Sequence, residues 1–529
     1  MQGYLALVLH AHLPFVRHPE HADFLEEDWL YEAISETYLP LLEVFDRLAA
    51  DQVPFKITLT LTPTLIAMLR DPLLISRYER RLNLLCELAE KEVQRTLKDA
   101  AFQPLALFYR AHFERLRSAF VERYQRDLVR AFARLADAGH LDLLTCGATH
   151  GFLPLMQQIP EAVHAQLAVA VRFHEAQLGR RPEGIWLPEC GYFPGLDRLL
   201  AEEGLRYFFL DAHGLANARP RPLHGVYAPV FTPAGTAAFG RDPESSQQVW
   251  SSETGYPGDP AYREFYRDVG FDLPLDYVRP YIQPTGARKN TGFKYYRITG
   301  RTDQKALYDP SAARARAELH AGNFMFNRER QIEHLASRMG GRKPIVVAPY
   351  DAELYGHWWF EGPLFLEALV RKSAREQQVF SLSSPAEYLR AHPENQVVAP
   401  PMSSWGERGY ARMWLDETND WIYPHLDHAA RRMVALARDF PAPDPLQRRA
   451  LNQAARELLL AQSSDWAFII RTGTMVDYAI RRTKEHLLRV LRLDDQLRRG
   501  RIDGEWLAGV EARNNLFPEI DYQVYRPRP

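Results

Sequence analysis

The chain has few cysteines and no long apolar run. Its three cysteines, Cys86, Cys146 and Cys190, include no closely spaced pair, which argues against a disulfide framework or a structural zinc site and fits a reducing cytoplasm. The apolar run from Tyr4 to Leu9 is too short for a signal peptide, and no apolar stretch reaches the roughly 20 residues that span a membrane. We therefore expect a cytoplasmic protein with no membrane partner.

The chain also has little net charge, −2 at pH 7. Its 65 Lys and Arg residues stand against 67 Asp and Glu residues, so no overall field draws the protein to nucleic acid. A neutral substrate is expected instead. Because 46% of the 529 residues are hydrophobic, the chain can bury the core of a barrel-sized domain and of a smaller second one.

Short apolar segments that predict β-strands alternate with helical segments. Seven of them have a polar residue at or just past their end: Tyr4–Leu9 (His10, His12), Phe55–Leu61, Leu141–Thr145 (His150), Gly184–Leu187 (Glu189), Tyr207–Leu210 (Asp211), Thr236–Phe239 (Arg241, Asp242) and Ile345–Ala348 (Asp351). Strands that alternate with helices form parallel sheets, and seven of them favour a barrel or near-barrel over a doubly wound sheet. Such folds carry their chemistry at the C-terminal strand ends.

The organisation along the chain predicts two domains. A helical insertion near residues 70–138 separates the second and third strands, and after Ala399 the composition changes to long helical runs rich in Arg and Leu. We therefore predict a catalytic domain over 1–399 and a helical domain over 400–529. Within the first, residues 214–235 predict a long loop, because Ala218 to Gly235 is rich in Pro and Gly; we interpret it as a loop over the barrel mouth, or as a solvated connection.

Two carboxylates at predicted strand ends, Glu189 and Asp351, carry the chemical prediction. A pair of carboxyl groups at one edge of a sheet is typical of a glycosidase, in which one attacks the sugar and the other handles the proton. Because this pair supplies both attack and protonation, we expect no cofactor and no metal ion. A protein that merely binds glucan has no use for two such acids.

Aromatic residues near the predicted domain boundary indicate a sugar site. Trp405, Trp414 and Trp421 lie in a segment rich in glycine and polar residues, and an indole ring can stack on the apolar face of a pyranose. The alternative for each is a core position. Further on, Leu451, Ala455, Leu458, Gln462, Asp465 and Ile469 are predicted to share one helix face. Asp465 on that face either pairs with an arginine or lines the cleft.

These residues resemble glycoside hydrolase family 57 over most of the chain. The resemblance rests on five motifs in order: HAHLPF (10–15), TCGATHGFLPL (145–155), WLPECGY (186–192), APYDAELYGHWWFEGP (348–363), and SSWGERGY (403–410) followed by NDWIYP (419–424). Within the family the pattern looks like the glucan branching members, through VWSSETGYPGD (249–259), YREFYRDVGFD (262–272), TGFKYYRITG (291–300) and KALYDP (305–310). Five ordered motifs are highly specific, whereas any one alone is weak.

The resemblance implies an α/β fold, an incomplete (β/α)7 barrel with a helical insertion and a C-terminal all-helical domain that closes the cleft. It implies retaining transfer of an α-1,4-glucan segment to a 6-hydroxyl of amylose or glycogen, by a monomer or weak homo-oligomer. Glu189 would be the nucleophile and Asp351 the general acid/base. The implied substrate-binding residues are Arg241, Gly258, Trp405, Asp465, His10, His12, His150, Trp250 and Trp414.

Other activities stay open at the level of sequence. An α-amylase or 4-α-glucanotransferase of the same family could use the same two acids, and the stretch Gly214 to Gly235 has no clear match to the tip tyrosine of the mobile loop found in branching members. His10-Ala11-His12 with His150 and Asp351 could instead hold zinc or another divalent ion, as in polysaccharide deacetylases and α-mannosidases. That reading leaves Glu189 and the tryptophans unexplained.

Overall fold

A computed structural model describes residues 1–251 and 255–527. Its strands are β1 (Gly3–Ala11), β2 (Ile57–Leu61), β3 (Leu141–Leu144), β4 (Gly184–Ile185), β5 (Tyr207–Leu210), β6 (Val230–Phe231), β7 (Ala237–Gly240), β8 (Ile345–Asp351) and β9 (Phe380–Leu382). The seven strands predicted from sequence are β1 to β5, β7 and β8, and all seven are confirmed. Residues 252–254 of the VWSSETGYPGD motif lie outside the described residues.

The parallel strands follow one another around an incomplete barrel. β8, β1, β2 and β3 pair in that order, as do β4, β5 and β7, and a bridge between Thr145 and Ile185 joins the two sets. The gap between β7 and β8 is crossed by a hydrogen bond of 2.9 Å from Asp242 N to Val347 O. β9 extends the sheet beside the start of β1, and β6 runs antiparallel to β7.

Side-chain alternation along the strands separates the barrel interior from the outer core. In β1, Leu5, Leu7 and Leu9 pack outward, whereas Ala6 and Val8 belong to a separate inner cluster. That cluster also contains Leu144, Trp186, Phe209, Phe239, Ile345 and Val347. Because side chains repeat every second residue in a strand, the inner row of β1 continues to His10 and that of β8 to Asp351.

The helices are α1 (Asp28–Ala33), α2 (Leu39–Ala50), α3 (Pro63–Leu69), α4 (Pro72–Arg95), α5 (Gln103–Ser118), α6 (Leu128–Asp137), α7 (Pro160–Leu178), α8 (Leu196–Glu202), α9 (Ala212–Ala216), α10 (Pro243–Trp250), α11 (Val269–Asp272), α12 (Leu275–Val278), α13 (Pro310–Arg338), α14 (Gly362–Arg375), α15 (Pro385–Ala391), α16 (Ile422–Asp439), α17 (Pro445–Ala461), α18 (Ser464–Thr472), α19 (Val476–Arg499) and α20 (Gly504–Arg513). Helices α4 to α6 lie between β2 and β3. In the described part of the chain, no helix has the length and apolar character needed to cross a membrane.

The segment from Ala218 to Gly235 runs along the gap between β7 and β8. Tyr227 O accepts a hydrogen bond from Ile345 N, at the start of β8, and β6, within the same segment, pairs with the first residues of β7. The side chain of Tyr227 reaches Asp242, just after β7, and Val226 lies beside Gly240, the last residue of β7. These contacts favour a connection along the gap, and the position over the barrel mouth stays a prediction.

The predicted helix through Leu451 and Ile469 is two helices. α17 ends at Ala461 and α18 begins at Ser464, because Ser463 has the non-helical angles φ −54° and ψ 128°. The apolar residues of α17 are buried against α19 and the rest of the C-terminal region. The break releases Asp465 from the packed face of α17 and places it in the first turn of α18.

Candidate active site

The C-terminal ends of β1 and β8 bring the first two predicted site residues together. In the parallel register of these strands, His10 lies beside Asp351. Both belong to the row of side chains that faces the barrel interior. His10 is buried, and its ring stacks on Trp186 with 5.0 Å between ring centroids. The site therefore lies at the C-terminal end of the barrel interior, and we refer to it as the pocket.

Glu189 follows β4 in a strained turn. Its φ of 62° lies in the left-handed region, which a non-glycine residue adopts at a cost. Two donors reach its carboxylate: Trp405 Nε1 donates to Oε2 at 2.7 Å, and Ser464 Oγ donates to Oε1 at 2.9 Å. Burial raises the pKa of Glu189 to about 7, and the charges of Asp465 and Asp351 add to this.

Asp351 ends β8 and sits in a different environment. Burial raises its pKa to about 6, against the opposing charges of Arg241 and His12. Among the residues that the structure describes, no side chain donates a hydrogen bond to its carboxyl group. Glu189 is therefore held by two donors, whereas Asp351 keeps its hydrogen-bonding capacity free for a substrate.

The three histidines form one buried group with different charges. His10 Nε2 lies 3.0 Å from His150 Nε2, and the rings of His12 and His150 stack at 3.7 Å. Burial lowers the pKa of His10 and of His150 well below the usual value, so both are neutral. Burial also acts to lower the pKa of His12, but the charge of Asp465 outweighs it and the pKa of His12 is raised.

The C-terminal helical region supplies part of the pocket. Gly151 and Ser463 form an antiparallel bridge, and Ser464 N donates to His150 O at 2.9 Å. Asp465 Oδ2 then lies 3.0 Å from His12 Nε2. Burial raises the pKa of Asp465, but the adjacent His12 more than offsets this and holds the pKa at about 2. Of the two predicted positions for Asp465, the structure shows the cleft, with a histidine as its partner.

Trp405 and Arg241 complete the cluster of predicted residues. Besides the indole N–H bond to the carboxylate, Trp405 N donates to Glu189 O at 2.8 Å. The guanidinium of Arg241 lies 5.5 Å from the centre of the Trp405 ring. Its Nε donates to Ser246 Oγ at 2.7 Å, which directs the group towards the pocket. An aromatic ring and a cation thus lie next to the two carboxyl groups.

Three predicted sugar contacts lie elsewhere. Trp414 is 1% exposed and stacks on Phe152, so a sugar cannot stack on it as predicted; the indole packs in the core, although the segment around it is polar. Trp250, at the end of α10, is 47% exposed, and Gly258 lies in a short turn beside it in sequence. In the described residues neither contacts Glu189 or Asp351.

Sequence reasoning missed three residues of the pocket. Ser464 contacts Glu189 across 275 positions of sequence, and a lone serine carries no sequence signal. Trp186 stacks on His10, but in the sequence it only continues an apolar segment that predicts a strand. Glu353 is buried, and its Oε1 accepts hydrogen bonds from Tyr38 Oη at 2.5 Å and His12 N at 3.2 Å. Its place two residues after Asp351 was the available signal.

The pocket contains two groups of possible metal ligands. Among described residues, His10, Cys146 and His150 form one, and His12, His150 and Asp465 form the other, with ligand atoms within 4.8 Å of one another. The predicted set with Asp351 is not among them. Both groups depend on His150, whose Nδ1 is bonded to Ser464 Oγ at 2.8 Å and whose Nε2 lies 3.0 Å from His10 Nε2. The second also needs His12 Nε2, which Asp465 engages. These side chains fit a hydrogen-bonded network better than an open ligand set.

Two carboxyl groups beside an indole at the C-terminal end of a barrel are typical of a carbohydrate-active enzyme. The model of glycosyl hydrolase family 57 matches residues 6–401, and that of the C-terminal domain of 1,4-alpha-glucan branching enzymes matches residues 425–525. The chain belongs to glycosyl hydrolase family 57.

Named relatives cover nearly the whole chain. A 1,4-alpha-glucan branching enzyme of Thermococcus kodakarensis is 34% identical, over 98% of this chain and 78% of its own length. The structure of a branching enzyme from Pyrococcus horikoshii matches with a TM-score of 0.89 and 33% identity, covering 100% and 98% of the two chains. That of an alpha-amylase from Thermotoga maritima matches with a TM-score of 0.94 and 47% identity, covering 100% of both.

Proposed function

We propose that this protein is a 1,4-α-glucan branching enzyme, which cuts an α-1,4-linked chain and transfers the cut segment to a 6-hydroxyl group. One observation carries the proposal. The part of the chain matched by the branching-enzyme C-terminal model, residues 425–525, contributes Ser464 and Asp465 directly to the pocket. The region that matches the C-terminal domain of branching enzymes therefore also contributes side chains to the candidate active site.

The proposed reaction is a double displacement at one anomeric carbon. In the first step a Glu189 oxygen forms a bond to that carbon, the bond to the departing 4-oxygen breaks, and Asp351 gives that oxygen its proton. In the second step Asp351 takes the proton of an acceptor 6-hydroxyl, whose oxygen displaces Glu189 and forms the α-1,6 bond. Two inversions retain the α configuration.

The hydrogen bonds support this assignment of roles. Both carboxyl groups have pKa values raised by burial, to about 7 for Glu189 and about 6 for Asp351. The nearby charge of Asp351 adds to the raised pKa of Glu189, because two neighbouring carboxyl groups disfavour being ionised together. Trp405 and Ser464 both donate to Glu189, which favours its ionised form and leaves the shared proton to Asp351.

The remaining pocket residues are proposed to bind the glucan. His10, His12 and His150 offer polar ring atoms to sugar hydroxyls, and Trp405 offers an indole face to a pyranose. The charged pair of His12 and Asp465 lies within the same network. Trp250 and Gly258 remain candidates for contacts with a long chain beyond the pocket, since both are accessible.

A second candidate function is hydrolysis, as in an α-amylase. It is favoured by the Thermotoga maritima alpha-amylase, whose structure matches at 47% identity over the whole chain. Both activities would use the same glucosyl-enzyme on Glu189 and differ in whether Asp351 next activates water or a 6-hydroxyl. In the described residues, the 218–235 segment makes no contact with Glu189 or Asp351 that would shield this step.

Product analysis on amylose distinguishes the candidates. A branching enzyme should lower iodine staining while reducing ends rise slightly, and an α-1,6-specific debranching enzyme should then release short chains. Reducing ends that rise in step with the loss of colour, with nothing released on debranching, would identify a hydrolase. Redistributed chain lengths without new reducing ends or branches would identify a 4-α-glucanotransferase. Glu189→Gln serves as the inactive control in each assay.

We also propose a role in building glycogen-like polymers in the cytoplasm, by a monomer or weak homo-oligomer. The cysteines support a reducing compartment, because Cys86, Cys146 and Cys190 are all free thiols. Size-exclusion chromatography with light scattering would test the oligomeric state; a tight, concentration-independent oligomer would contradict it.

A further inference from the structure

Ser464 links the C-terminal helical region to the proposed nucleophile. Its Oγ donates to Glu189 Oε1 at 2.9 Å and lies 2.8 Å from His150 Nδ1. Its main-chain N–H donates to His150 O at 2.9 Å, so the residue is fixed at both ends. Ser464 is buried and opens helix α18. Its hydroxyl therefore has a defined place between a histidine and a carboxylate.

Counting hydrogens fixes the direction of each bond. A serine hydroxyl has one hydrogen, and an ionised carboxylate can only accept. Ser464 therefore donates to Glu189 and must accept from the Nδ1–H of His150. A neutral His150 then has a bare Nε2, so the hydrogen in its 3.0 Å bond to His10 Nε2 belongs to His10. Hydrogens are donated in one direction, from His10 to His150 to Ser464 to Glu189.

The His10 end of this series of hydrogen bonds agrees with that direction. With its hydrogen on Nε2, a neutral His10 has a bare Nδ1, and this atom is buried with no partner in the described residues. A bare acceptor nitrogen costs less to bury unpaired than an N–H donor does. If the hydrogen of His10 were on Nδ1, the hydrogen bond to His150 would be lost as well. Burial lowers the pKa of both histidines, which keeps them neutral.

We propose that Ser464 is a positioning residue for the reaction, whose hydroxyl, oriented by His150 and His10, holds the Glu189 carboxylate in its ionised, attacking geometry. The inference rests on the proposed role of Glu189 as nucleophile. Ser464 holds Oε1 while Trp405 holds Oε2, so the two oxygens are fixed from separate segments. The lone pairs that remain are free to face the anomeric carbon.

Removal of the Ser464 hydroxyl should raise the pKa of Glu189, because a donor to the ionised form is lost. The other charged or titratable groups around this carboxylate stay in place: Asp351 at the end of β8, Asp465 on α18, His12 just after β1, Cys146 and His150 after β3, Arg241 after β7 and Cys190 beside it. The enzyme loses activity as the nucleophile is protonated, so the acid limb of the pH profile should move to higher pH.

The test compares Ser464→Ala, Ser464→Cys and Ser464→Thr with the full-length wild type. The measurement is kcat/KM for release of nitrophenol from an activated aryl α-glucan oligosaccharide, because its pH profile reports ionisations of the free enzyme. We expect Ser464→Ala to lower kcat by about ten- to a hundredfold, with KM little changed, and to shift the acid limb upward. Cysteine, a weaker donor, should shift it less, and threonine should restore it.

Ser373→Ala is the matched control, since Ser373 is also buried but lies on α14; its profile should be that of the wild type. An unshifted acid limb in folded Ser464→Ala overturns the inference, and if that variant does not fold, an unshifted limb in Ser464→Cys does so. A threonine variant no better than alanine also overturns it. Nitrophenol release needs no glucan acceptor, so a wild type that makes no branches would refute the proposed function alone.

Discussion

Three residues of the pocket have backbone angles that residues other than glycine rarely adopt. His150, Glu189 and Cys190 have φ values of 58°, 62° and 51°, and each such residue costs on the order of 1–3 kcal/mol. Hydrogen bonds from the C-terminal part of the chain stabilise two of them: Ser464 N donates to His150 O, and Trp405 N donates to Glu189 O. The proposed nucleophile is thus positioned by its backbone as well as by its side chain.

The two carboxyl groups should respond differently to loss of their charge. Glu189→Gln keeps the shape and one accepting oxygen but removes the nucleophile, so kcat on glucan should fall by at least about a thousandfold. Asp351→Asn should be similarly inactive on glucan. It should lose less on an activated aryl glycoside, whose leaving group needs little protonation.

Circular dichroism and thermal unfolding would verify that both variants fold. Retention of a tenth of the wild-type rate by Glu189→Gln would rule out its role as nucleophile. If Asp351→Asn lost the same factor on both substrates, it would not be the acid in the first step.

Among the elements, α18 matters most to the pocket, because its first turn carries Ser464 and Asp465. Asp465 raises the pKa of His12 and, as a nearby anion, that of Glu189. In Asp465→Asn both influences disappear, so both pKa values should fall. We expect the acid limb of the pH profile for glucan cleavage to move to lower pH, which is opposite in sign to the shift of the acid limb in Ser464→Ala.

The check is a pH profile of kcat/KM for Asp465→Asn beside Asp439→Asn. Asp439 ends α16, where its carboxylate pairs with Arg438, and its variant should keep the wild-type profile. An unchanged acid limb in Asp465→Asn, or a move of that limb to higher pH, would mean that its charge does not reach Glu189 as the structure indicates.

Local sequence patterns were sufficient to predict the strands, but not where a connecting segment packs or where a helix breaks. The seven barrel strands were predictable because runs such as Ile57–Leu61, with the sequence ITLTL, consist of apolar and β-branched residues, which buried strands favour. The end of the barrel at which the 218–235 segment lies could not be predicted, because proline and glycine mark a loop without saying where it packs. The break at Ser463 was also missed, since residues on both sides continue a helical apolar spacing.

Across the whole molecule, the site joins residues that are far apart in sequence. His12 and Asp465 are separated by 453 positions, and Ser464 and Glu189 by 275. The strand-end acids could be predicted because local sequence places them at one edge of the sheet. Ser464 could not, because its role comes from the docking of the C-terminal region against the loop after β3. Trp414 shows the same limit, since its burial depends on Phe152 from a distant segment.

The same docking leads to an expectation about metals for the intact enzyme. The ring nitrogens that could bind an ion already make hydrogen bonds: His150 Nε2 with His10 and His12 Nε2 with Asp465. A metal at either group would have to displace these bonds, and at His12 it would also have to displace a proton that Asp465 stabilises. We therefore expect full-length protein dialysed against EDTA to keep its amylose activity. Elemental analysis should find no stoichiometric zinc. Loss of activity on chelation, with recovery on adding zinc but not calcium, would make the histidines ligands and contradict the network described here.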